Sequence, residues 1–237
     1  MTTHFNSILK TNDDAKDPFA GLPLGNDARM TRYFNDFLVA QDYAAADWTV
    51  TETGVATQAL EGDEDNGALL ITNAASDNDS SESQGTEETW VIASGRKAGF
   101  AIKYKVSGTT TIDSIVGLCI TDTALIDGLS DGVYFRQVDA SADLTLVAEK
   151  DSTETILTGI TTIVADTYVE VGFNYDGNST ITAFIRTTDT DKWRKVGVIT
   201  TNLPDNENLA ISYALQNGSA VATTMSIDYI EVRQERS

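Results

Sequence analysis

Along "GFAIKYKVSG" the apolar side chains fall at every second place: Phe100, Ile102, Tyr104 and Val106 share one face, and Ala101, Lys103 and Lys105 the other. A period of two belongs to an extended strand with one dry and one wet side. The same beat returns in "YVEVGFNYDGNSTITAFI". There Val169, Val171, Phe173 and Tyr175 align, the chain reverses near Asp176-Gly177, and Ile181, Ala183 and Ile185 line up on the way back. An Asp-Gly pair between alternating runs predicts a hairpin, because such residues tolerate positive φ. "WVIAS", "DSIVGLCIT", "DLTLVAEK", "WRKVGVITT", "LAISYAL" and "MSIDYIEVRQ" carry the pattern to the C-terminus. With turn signals recurring between short strands and no long amphipathic helix, the chain reads as an all-β protein, an antiparallel β-sandwich.

Two stretches break the rhythm. In "MTRYFNDFLVAQDYAAAD", Met30, Tyr33, Phe34, Phe37 and Leu38 fit a helical stripe, yet "RYFNDFLV" is also aromatic and suited to a strand. Before it, "KDPFAGLPLGNDAR" holds Pro18 and Pro23 among glycines and has no period. Residues 1–30 are therefore expected to form an irregular N-terminal arm, followed by a single sandwich over residues 31–237. Phe5, Ile8, Leu9, Phe19, Leu22 and Leu24 make the arm too apolar for an idle solvated tail. Either it packs on its own domain or these six residues dock on a partner chain.

Charge narrows the partners. The 237 residues carry 36 acidic and 16 basic side chains, a formal net charge of −20. Phosphate backbones and anionic bilayers repel such a surface, so neither nucleic acid nor a membrane is expected as a partner. The start, "MTTHFNSILKTNDD", lacks the apolar stretch of a secretory signal, which predicts a protein made in the cytoplasm. Acids concentrate between Glu61 and Glu88, where "ALLIT" is expected as a short strand between two solvated acidic loops.

Candidate chemistry is thin. One cysteine, Cys119 in the apolar "SIVGLCITD", excludes an internal disulfide and is expected as a small buried hydrophobe. One histidine, His4, leaves no Ser-His-Asp triad beyond the arm and no His/Cys cluster for a transition metal. The loops "EGDEDNG" and "SDNDSSES" are oxygen-rich but mistimed for a calcium loop: Asn66 is misplaced in the first and no glycine stands where the second needs it. No cofactor is expected, and calcium is the one ion that composition leaves open. Two carboxylates suffice for glycoside hydrolysis, but Trp48, Trp90 and Trp193 are scattered and read as core or strand-edge residues. In "IDGLSDGVYFRQ", Asp127-Gly128 and Asp131-Gly132 precede a strand, and read as turn formers with glycines at positive φ.

Several stretches carry resemblances. "TYVEVGFNYDGNSTITAFI" resembles the paired strands of laminin-G-like and concanavalin A-like jelly rolls, and "MSIDYIEVRQ" is similar to the closing strand of laminarinase-type sandwiches. "GLCITDTALIDGLSDGVYFRQVDASADLTLVAEKDSTET" resembles structural proteins of tailed bacteriophages, as do "YFNDF" and "DWTVTETG", which there form the first strands. The enzyme signature of the laminarinase type, E-x-D-x-E, is absent: after Glu61 and Asp63, Asp65 and Asn66 stand where a glutamate should.

These resemblances imply a concanavalin A-like jelly roll without enzymatic activity. The implied protein decorates the outer surface of a phage capsid as a cement protein, bound to the major capsid protein, with a dimer or trimer as further assemblies. The alternative is a carbohydrate-binding module of a head or tail fibre that recognises host glycan. A hydrolase working through two carboxylates is the third reading.

Overall fold

The computed structural model describes residues 16–22, 28–43, 45–62, 64–186 and 192–236. Two eight-stranded antiparallel sheets face each other. The first runs, in spatial order, β14 (Arg194–Ile199), β13 (Ile181–Arg186), β12 (Val169–Tyr175), β7 (Ala98–Val106), β16 (Thr223–Glu235), β4 (Leu69–Asn73) and β3 (Ala56–Leu60). Its eighth strand, β1 (Met30–Asn35), pairs with the end of β16. The second runs β11 (Thr153–Thr162), β10 (Asp143–Lys150), β9 (Gly132–Gln137), β8 (Ile112–Cys119), β15 (Asn208–Asn217), β5 (Ser80–Gly85) and β2 (Trp48–Thr53). A two-residue strand, β6 (Trp90–Val91), pairs with the start of β15. This is the antiparallel sandwich that the alternation predicts, of the jelly-roll kind.

The period of two decides what lies between the sheets. Phe100, Ile102, Tyr104 and Val106 of β7 point inward and are buried, as are Val171, Phe173 and Tyr175 of β12. Phe100 stacks on Phe173 with centroids 5.4 Å apart, and Phe135 of the opposite sheet meets Phe173 at 6.5 Å. Large rings bury much apolar area each and fix the spacing of the layers. The hairpin between β12 and β13 forms where Asp-Gly stands. Gly177 has φ +77, and Asp176 Oδ1 accepts the amides of Asn178, Ser179 and Thr180 at 2.8 to 3.0 Å. The ambiguous "MTRYFN" is a strand, because pairing against β16 puts Tyr33 toward the core and lets Phe34 stack outside on Tyr229.

Two expectations are corrected. "SDNDSSES" is not wholly a solvated loop: Ser80 to Gln84 form a buried strand within the second sheet. Small hydroxyl side chains fit the inward side, where Ser81 and Ser83 accept hydrogen bonds from Gln58 Nε2 at 3.0 and 2.7 Å. Nor do Gly128 and Gly132 adopt positive φ. They are close-approach glycines: a Cβ at Gly128 would lie 3.0 Å from the Ala124 carbonyl oxygen, and one at Gly132 would lie 3.0 Å from that of Leu118. Cys119 is fully buried, as expected, and burial pushes its thiol up.

Candidate functional site

The outward faces of the two sheets differ in chemistry. On the first, Lys103 pairs with Asp228 at 2.7 Å, and Lys105 with Glu64 at 2.7 Å and Glu61 at 3.3 Å. Arg32 and Arg233 share Glu231, and Arg186 holds Glu170. Both lysines also lie over the Tyr168 ring, 5.0 and 4.7 Å from its centre.

The described part of the N-terminal arm sits on this same face. A Cβ at Gly99 would come 2.1 Å from the Pro18 carbonyl oxygen, and one at Gly172 would come 2.5 Å from Pro18 Cγ. The two glycines, on neighbouring strands, thus open a seat that any side chain would close. Asn174 Nδ2 donates to the carbonyls of Pro18 and Ala20 at 3.1 and 3.2 Å. Leu22 is fully buried, and the half-buried Phe19 ring lies 4.6 Å from the Arg233 guanidinium carbon. Phe19 and Leu22 are therefore taken up by their own sandwich. Phe5, Ile8, Leu9 and Leu24 fall outside the described residues.

The second sheet is capped instead by the loop from Ile120 to Asp131, the stretch that holds both Asp-Gly pairs. Leu125, with Ile126 and Leu129 beside it, packs on Ile115, Cys119, Tyr134, Val147 and Ala214, a small apolar cluster outside the main core. Two side chains of β5 pin the loop. Gln84 accepts the Asp122 amide at 2.8 Å and donates to the Ile120 carbonyl at 3.0 Å, while Glu82 accepts the Leu125 amide at 2.5 Å. Burial raises the Glu82 carboxyl; the Leu125 amide and Ser80 hydroxyl oppose the rise, and Asp127 and Asp122 add to it. Asp131 accepts the Asp151 amide at 3.2 Å, and Asp127 is exposed.

Beside the loop lies a groove of about 440 Å³, lined by Thr49 and Thr51 of β2, Gln84, Gly85, Thr86, Thr121, Asp122 and Thr123. Its hydroxyl, amide and carboxylate groups suit a ligand rich in hydroxyls. Further along the same sheet, the Tyr134 hydroxyl donates to the buried Glu149 at 2.7 Å, and Arg136 forks onto Glu154 at 2.5 and 2.9 Å. Burial raises the Glu149 carboxyl.

These functional candidates were missed in sequence because Glu82 and Gln84 sit in an acidic stretch that looked solvated. The alternation in "SSESQG" was the signal for them. Among the described residues no three His, Cys, Asp or Glu side chains converge on one point, and Glu61 and Glu64 are engaged with Lys105.

No family model and no curated protein matches the chain. Solved structures do. Arcelin-5, a lectin-like defence protein of Phaseolus vulgaris, aligns with TM-score 0.62 at 9% identity over 89% of this chain and 100% of its own. The exoplasmic/lumenal domain of VIP36 bound to Ca²⁺ and Man3GlcNAc aligns with TM-score 0.54 at 12% identity, covering 80% and 83%. An endo-β-1,4-glucuronan lyase of the fungus Trichoderma reesei aligns with TM-score 0.56 at 11% identity, covering 87% and 96%. At such identities the likeness is one of fold, and the chain has the lectin-like, concanavalin A-like jelly-roll fold.

Proposed function

We propose that the protein is a non-enzymatic structural component of a tailed-phage virion, which decorates the outside of the capsid and is held to the major capsid protein through its N-terminal arm. The observation that carries this reading is the glycine seat. It receives Pro18 and Phe19 on the first sheet's outer face, where cations balance acids, the least repulsive side of a highly acidic molecule. Phe5, Ile8 and Leu9 are the apolar anchors offered to the partner, each contributing on the order of 1.5–3 kcal/mol when fully buried. Repeated over a capsid lattice, modest anchors add up through avidity. The phage-like phrasing of Gly117 to Thr155 supports the same reading. Removal of residues 1–15 should abolish binding to undecorated capsids while the sandwich stays folded; retained binding overturns the arm's role.

A second reading is favoured by the threonine-lined groove: a carbohydrate-binding module presenting the second sheet to host glycan. The lectin-like fold supports it, and Thr49, Thr51, Thr123 and Asp122 would supply the hydrogen bonds. A glycan array, run with and without chelator, tests it. A hit that Thr51→Trp removes by filling the groove supports the reading, and an array without hits refutes it.

A further inference from the structure

At one end of the sandwich, next to the groove and sharing Gly85 and Thr86 with it, β1, β2, β5, β6 and β15 meet around a cleft of about 220 Å³. Tyr33, Trp48, Trp90 and Ile211 form its walls, and Asp47, Glu87, Thr86 and Thr89 stand at its exposed rim. Among the described residues no lysine or arginine lines it. The Tyr33 and Trp48 rings are nearly perpendicular, at 78° with centroids 6.4 Å apart, so they form two walls of a corner.

That corner is rigid. Trp48 leans on Tyr213 at 4.9 Å, and its indole N–H donates to the Asp42 carbonyl at 2.9 Å. Asn35 Nδ2 donates to the Tyr33 hydroxyl at 3.0 Å and to that same Asp42 carbonyl at 2.7 Å, tying the two walls together. Asp47 is fixed in turn, since its carbonyl accepts the Thr86 amide at 3.1 Å.

We propose that this cleft binds a quaternary ammonium group. Aromatic faces attract a cation through their quadrupole, and carboxylates at the rim add to the attraction. The walls are three rings and an isoleucine, and the Tyr33 hydroxyl among them is already taken up by Asn35. A primary ammonium would lose its hydrogen bonds to water there, whereas a methylated one has none to lose. The two rim carboxylates disfavour anions, which separates this site from one that selects phosphate or uronate.

The test uses the full chain and four probes, followed by tryptophan fluorescence and calorimetry. Choline and tetramethylammonium should give saturable binding. The neutral isostere 3,3-dimethylbutan-1-ol, with the shape of choline and no charge, should bind at least about tenfold more weakly. Phosphocholine run beside choline separates a headgroup from a free cation; binding of either supports the site. Asp47→Asn combined with Glu87→Gln, both exposed positions, should weaken choline severalfold with an unchanged thermal midpoint. Tyr33→Leu should weaken it further, and circular dichroism would show that the fold is kept. Equal binding of choline and its neutral isostere, or no saturable response to any of the cations, overturns the proposal.

Discussion

The outer faces of the two sheets solve the same problem, how to cover a strand layer, with opposite means. Strands of the first sheet hold seven cationic and four acidic residues, against two and six in the second. The first face is therefore covered by ion pairs and by an arm laid into a glycine seat. Too few cations serve the second, and it is covered by a loop whose leucine and isoleucine make their own small core, held by a carboxylate and an amide of β5. Ion pairs that keep part of their surface in water contribute little to stability, whereas a buried apolar cluster contributes as a core does. The two faces should therefore fail by different amounts and respond to pH with opposite sign.

Leu125→Ala should give the largest effect. Emptying the loop's main anchor is expected to cost about 2–5 kcal/mol in urea unfolding. It should also let a thiol reagent reach Cys119, which is fully buried in the parent protein. An unreactive thiol and an unchanged midpoint would break the contrast between the faces.

Gly99→Val attacks the other cover. The new side chain collides with the Pro18 backbone, and the expected loss is about 1–3 kcal/mol, as for other overpacked sites. Because the arm can lift away, the clearer readout is limited proteolysis, with cleavage appearing between Lys16 and Leu22 while the sandwich resists.

Acidity gives the smallest effect and the most informative sign. Burial raises the Glu82 carboxyl, so its contribution is present below the unfolded value and is lost as pH rises through the folded one. Glu64 is opposite: the hydrogen bond from Lys105 lowers its carboxyl despite some desolvation. Its contribution is present above the unfolded value and is lost as pH falls through the folded one. Glu82→Gln should therefore reduce the gain in thermal midpoint on acidification from neutral to about pH 5, while Lys105→Met should reduce the loss at still lower pH. Identical pH profiles for parent and Glu82→Gln would show that the β5 carboxylate does not hold the loop by its charge state.

Legibility in the sequence followed the physics of each element. Strands with one wet and one dry face, such as β7 and β12, announce themselves, because burial on one side forces alternation. The Asp176-Gly177 hairpin is equally local, since a turn is made from its own residues. "SSESQG" was harder, because both of its faces are covered by polar partners distant in sequence: Gln58 within, and the loop from Ile120 to Asp131 outside. Gly128 and Gly132 looked like turn glycines, although what demands them is the nearness of other backbone. The groove and the aromatic corner were invisible for a related reason. Tyr33 and Trp90 lie 57 positions apart, and neither belongs to a motif.

The sequence by itself determined an acidic, all-β chain, its alternating strands, its Asp-Gly hairpin and an apolar arm before the first strand. Tertiary structure alone decided which acids are paired, which are buried and which stand at a rim, and where the arm and the loop lie. Alternation and turn chemistry act between neighbours along the chain, whereas charge pairing, glycine clearance and ring geometry depend on strands that meet only after the two sheets have closed.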